Sequence, residues 1–185
     1  MQITMPGSVL KIDGARPEAA DELLSSLFAG GGLVLSQVAN VTGLEPYLIQ
    51  NWVARGFLAP PEGKRYTRRQ LSRILIISAL RNALPLPEIC RLLRSINGHL
   101  DDESDDAIDD SRLYLYLVRL CADPEQDFAA LIADYAEPFR GAANRLEKVL
   151  RIMEKAYRSS ELRREAEDLI AGLGDCPAIF INNQK

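Results

Sequence analysis

Apolar positions along the chain recur at steps of three and four, and glycine and proline cut them into helical pieces; no long alternating strand pattern stands out. Residues 16–29 predict a first helix, with Pro17 near its start and Gly30, Gly31 and Gly32 ending it. "LSQVANVTG" predicts a short helix: Ser36 is its expected N-cap, Val38, Ala39 and Val41 its apolar face, and Gly43 its stop. "LEPYLIQNWVARG" runs from Pro46 at an early helical position to Gly56, with Leu48, Ile49 and Trp52 on one face. "FLAPPEGKRY" reads as a small hairpin around a Pro-Pro-Glu-Gly turn. Thr67 and Gln70 fit a capping box that opens a longer helix, with Leu71, Ile74, Leu75, Ser78 and Ala79 as its inner stripe. "LPLPEICRLLRSING" restarts a helix at Pro87 and ends at Gly98, burying Ile89, Leu92, Leu93 and Ile96.

The pattern then changes. Residues 101–110 hold seven acids and no base, which predicts a solvated loop or boundary at residues 99–110. Residues 111–122 predict a helix, and Asp123-Pro124-Glu125 has the order of a further helix start. Pro138 marks a bend or restart. Beyond it Ala142, Leu146, Val149, Leu150, Met153 and Ala156 form an amphipathic stripe, suited to a dimerising coiled coil or to packing within a monomeric bundle. Leu162, Ala166, Leu169 and Leu173 extend it after an expected break at residues 158–160. The expected organisation is an N-terminal segment with one helix (1–32), a winged helix-turn-helix (33–98), the acidic loop (99–110), a helical region (111–174) and a tail (175–185).

Composition narrows the function classes. At 185 residues with 47% hydrophobic and 26% charged side chains, the chain can bury a core without a staple. No run of about 18 apolar residues is present, so no membrane span is expected. The start lacks a basic segment followed by an apolar run, which argues against a secretory signal. Cys90, Cys121 and Cys176 are scattered, which fits a reducing cytoplasm and supports neither a disulfide framework nor a metal site. With one histidine, His99, no nucleophile with an obvious base, no phosphate-binding glycine loop and no HExxH, an enzyme is not expected, and no cofactor is implied.

Charge gives the positive signal. The net charge is -4, yet residues 33–96 hold nine Lys/Arg against three acids, a local balance of +6. "GKRYTRRQLSR" alone carries Lys64, Arg65, Arg68, Arg69 and Arg73 with no acid. Local positive potential attracts phosphate whatever the net charge. The order helix, tight turn, helix, hairpin, helix is that of a winged helix-turn-helix, whose second helix enters the DNA major groove while the hairpin reaches phosphates. With Ile49 and Trp52 facing the core, the outer face carries Tyr47, Gln50, Asn51 and Arg55.

These features, with "SQVANVTG", "IQNWVARGFL", "KRYTRRQLSRI" and "LPLPEICRLL", make about a third of the chain resemble the DNA-binding domain of MerR-type transcriptional regulators. It is also similar to an uncharacterised bacterial family sharing that domain. The resemblance implies a mainly α fold with a β-hairpin wing, a homodimer and double-stranded DNA as partner. Arg65 and Tyr66 match the family's Arg and aromatic on the wing, where phosphate contact is implied. The chain departs from the family early in the recognition helix, where Gln50 and Asn51 stand in place of an Arg and an aromatic. Gln and Asn can pair with adenine edges, so base reading survives although that Arg's hold on phosphate does not. The DNA-binding set expected from the sequence is therefore Tyr47, Gln50, Asn51, Arg55, Lys64, Arg65, Tyr66, Arg68 and Arg69. The competing expectation is a protein-interaction adaptor that kept the fold and lost specific DNA binding. No effector is named by any motif.

Overall fold

The computed structural model describes residues 2–98, 100 and 106–173. Among them the chain is mainly helical, and its one regular sheet is a small antiparallel hairpin of β1 (Gln2–Thr4) and β2 (Lys11–Asp13), in the register Ile3 opposite Ile12. The helices are α1 (Ala19–Leu27), α2 (Leu35–Thr42), α3 (Pro46–Ala54), α4 (Arg68–Leu80), α5 (Leu86–Asn97), α6 (Asp110–Ala122), α7 (Phe128–Leu131) and α8 (Ala142–Ala171).

Helix α4 is the axis of the molecule. Every residue from Leu71 to Ile77 is buried, as are Ala79 and Leu80, so the expected single stripe is replaced by burial nearly all round. A helix hydrophobic on every side must be covered on every side. Helices α2, α5, α6 and α8 all pack against it. Buried residues on both sides of the acidic segment join one core, from Leu24 and Ile49 to Leu117 and Met153.

The N-terminal hairpin, which the sequence pattern did not reveal, is docked into this core. Its turn places Gly7 at φ 71° so close to α4 that an added Cβ would lie 2.0 Å from the Leu75 carbonyl oxygen. Only glycine fits a left-handed position pressed against another backbone. The buried Tyr114 hydroxyl of α6 donates to the Pro6 carbonyl at 2.8 Å, and the Val9 amide donates to the Val41 carbonyl at 3.1 Å.

Several sequence expectations change. Val34, not Ser36, precedes the first turn of α2, because pairing of Leu33 with Tyr66 holds the chain extended up to that point; Gln37 Oε1 accepts the Val34 amide at 3.0 Å. Asp123 ends α6, and Asp127 caps the short α7 by accepting from the Ala130 amide. Helix α8 runs unbroken through residues 158–160, where Ser160 satisfies its hydroxyl on the Ala156 carbonyl. The stripe Ala142, Leu146, Val149, Leu150, Met153 and Ala156 is buried within the chain, so it is core rather than a dimer seam. The acidic segment is not wholly a solvated loop: Ala107 and Ile108 are core, and Asp110 opens α6 at 1% exposure. Residues 101–105, His99, Cys176 and the tail from 174 lie outside the described residues.

Candidate nucleic-acid interface

Helix α3 is built to present one face. Pro46 occupies its first turn, where a missing N–H costs nothing. Gly43, in the left-handed conformation at φ 70°, ends α2 and makes the tight turn between the two helices. Ile49 at 0% and Trp52 at 3% exposure hold the inner face, while Tyr47, Gln50, Asn51 and Arg55 are exposed on the outer one. Arg55, just past the helix, stacks its guanidinium over Phe57, 4.7 Å from the ring centroid. This orients the side chain without neutralising it.

The chain then runs to the segment expected as a hairpin wing, which forms no regular strand pair. It reduces to a two-residue turn in which the Arg65 amide donates to the Glu62 carbonyl at 2.8 Å, with Gly63 at φ 54° and Lys64 at φ 62°. Two consecutive positive φ values make this a type I′ turn, the form whose twist suits a hairpin. Lysine is a costly occupant of such a position. This turn is tied back at three points. Leu33 and Tyr66 exchange backbone hydrogen bonds of 3.0 and 2.7 Å, Arg65 Nη1 donates to the Gly32 carbonyl at 2.7 Å, and Gln70 Nε2 donates to the Ala59 and Pro60 carbonyls. The expected capping box is present: Thr67 Oγ1 accepts from the Gln70 amide and Gln70 Oε1 from the Thr67 amide.

Three residues of the expected DNA-binding set sit elsewhere than on an open surface. Tyr66 is buried at 3% exposure, and burial raises its phenol pKa, so it is a core side chain rather than a phosphate contact. Arg68 pairs with Asp21 and donates to Ser25 Oγ at 3.0 Å. Arg69, at 18% side-chain exposure, pairs with Asp106 and approaches Asp110 at 3.9 Å. Two cations in the first turn of α4 oppose the helix dipole and call for an anion. The anions are supplied by the protein itself, from α1 and from the end of the acidic segment. Lys64 and Arg65 remain exposed at the turn, with no ion pair among the described residues.

Sequence reasoning missed the buried network behind this surface. Arg73 Nη1 donates to Asp110 Oδ2 at 2.9 Å, and Asn97 Nδ2 donates to Asp110 Oδ1 at 2.7 Å. The available signal was Arg73 itself, a lone charge in the apolar run "LSRILIISAL", which a buried helix tolerates only with a partner. Among the described residues no group of three or more His, Cys, Asp or Glu could hold a metal ion. No helix there is long and apolar enough to cross a membrane.

No curated protein and no solved structure matches the chain. One family does match. It is described as "Domain of unknown function (DUF1836)", and the match covers residues 32–117, from the glycine that receives Arg65 to the middle of α6, a little under half of the chain.

Proposed function

We propose that the chain is a DNA-binding transcriptional regulator of MerR-like design, with α3 entering the major groove and the Lys64–Arg65 turn resting on phosphate. The observation that carries this reading is the outer face of α3. Tyr47, Gln50 and Asn51 are exposed there, with Arg55 behind them and an inner face locked by Ile49 and Trp52. Exposed amides on a rigid helix are suited to bidentate reading of adenine. The positive φ of Lys64 supports the reading, because strain held at an exposed basic residue points to a use for its charge. Base reading falls to Tyr47, Gln50, Asn51 and Arg55, and phosphate contact to Lys64 and Arg65. Arg68 and Arg69 act as supports of the wing helix.

A second copy belongs to this reading, since paired half-sites need a two-fold protein. The C-terminal half of α8 offers the seam. Leu162 and Leu169 are 64% and 74% exposed with Ala166 between them at helical spacing, and Leu173, two residues past the helix, is 80% exposed.

The adaptor reading retains one observation in its favour. Arg68, Arg69 and Arg73 are paired with carboxylates from outside residues 33–96, which lowers the local balance that the sequence displays. Fluorescence anisotropy with random duplex at low salt separates the two. A regulator binds, with affinity falling steeply as salt rises; an adaptor does not bind.

A further inference from the structure

A polar cleft of about 450 Å³ lies between the C-terminal end of α4, the Gly7–Ser8 turn of the N-terminal hairpin and the second half of α8. Its size is that of a small-molecule site. Ser78, Arg81 and Asn82 line one wall and Tyr157, Arg163 and Arg164 the other. Arg163 and Arg164 are engaged along their own helix with Glu167 and Glu161, at 2.9 and 2.8 Å. Arg81 makes no ion pair among the described residues, although every other arginine on the cleft wall has one. Burial and the adjoining Glu161 carboxylate, which accepts its O–H, raise the Tyr157 phenol, so the free donors of the wall are those of Ser78, Arg81 and Asn82.

The wall is therefore rich in donors, and its unengaged charge is a guanidinium, the group whose planar fork matches phosphate and carboxylate. The face of α8 that lines the cleft includes Tyr157, Ser160, Glu161, Arg164 and Glu167. At about 100° per residue it lies roughly opposite Leu162, Ala166 and Leu169, so the apolar stripe and the cleft are separate surfaces. We infer that this cleft binds a small ligand bearing an oxyanion, with Arg81 as its anchor and Asn82 and Arg164 beside it. A ligand there touches the central helix, the N-terminal hairpin and the α8 arm together, and so joins the arm to the body. This inference does not depend on DNA binding.

The probes are pyrophosphate and citrate, titrated into the full chain by calorimetry and followed by amide chemical shifts. Saturable binding of either, with shifts at Ser78, Asn82 and Ser160, is the expected result. Pyrophosphate alone identifies a phosphate ligand, citrate alone a carboxylate, and both the shared oxyanion. Arg81→Ala is expected to weaken binding by about tenfold or more, and Asn82→Asp to do so by adding like charge. Arg94→Ala, at an exposed arginine outside the cleft, leaves it unchanged. Absence of saturable binding up to about 10 mM, or equal losses in Arg81→Ala and Arg94→Ala, overturns the inference.

Discussion

Arg73 and Asp110 are a buried pair, 6% and 1% exposed at the side chain, joined across the axis of the molecule. Removing one partner leaves the other charge buried and uncompensated. Asp110→Leu is expected to cost about 3–5 kcal/mol, and the double change Arg73→Met with Asp110→Leu to recover most of it, as read by urea unfolding. A double variant as unstable as the single one would show that packing, not charge, is at stake. Gly7 makes a second residue-scale prediction. Gly7→Ala forces a methyl into the Leu75 carbonyl from a left-handed position, and a loss of about 3 kcal/mol is expected, with the N-terminal hairpin released. At this scale the sequence was legible where partners are neighbours. Thr67 and Gln70 declare their cap within four residues, whereas Arg73 and Asp110 lie 37 apart and no local rule pairs them.

At the scale of elements, helices announced by spacing and by glycine or proline punctuation, such as α3, α4 and α5, stand close to where the pattern places them. Those whose ends depend on tertiary contacts do not. Helix α2 begins where pairing of Leu33 with Tyr66 releases the chain, and β1 and β2, three residues each, are held by contact of β2 with α1 and of their turn with α4 and α6. The expected phosphate clamp was half legible for the same reason: the basic run is local, but the carboxylates that occupy Arg68 and Arg69 come from residues 21 and 106. The Gly63–Lys64 turn allows stability and the proposed function to be separated. Lys64→Gly relieves a left-handed lysine and is expected to raise stability by about 0.5–1 kcal/mol in thermal unfolding. The same change is expected to weaken duplex binding. Unchanged binding would assign Lys64 no phosphate.

Among the described residues one core is threaded by α4, and half of α8 extends past it with an exposed apolar stripe. Composition and periodicity conveyed the mainly α class and the stripe. They could not divide that stripe into its buried half, up to Ala156, and its exposed half, from Leu162, because both halves carry the same spacing. If the arm pairs two copies, Leu162→Asp with Leu169→Asp is expected to halve the mass seen by light scattering while leaving thermal unfolding of the body intact; an unchanged mass would place the seam elsewhere. The central claim is that the outer face of α3 and the Lys64–Arg65 turn meet DNA. Its most direct measurement is duplex affinity against salt for the wild type and for Lys64→Ala with Arg65→Ala. The account predicts a linear fall of log affinity with log salt, shallower in the variant by about 0.9 for each phosphate that the variant no longer neutralises. A wild-type protein that binds no duplex at low salt, or a variant with an identical slope, would contradict it.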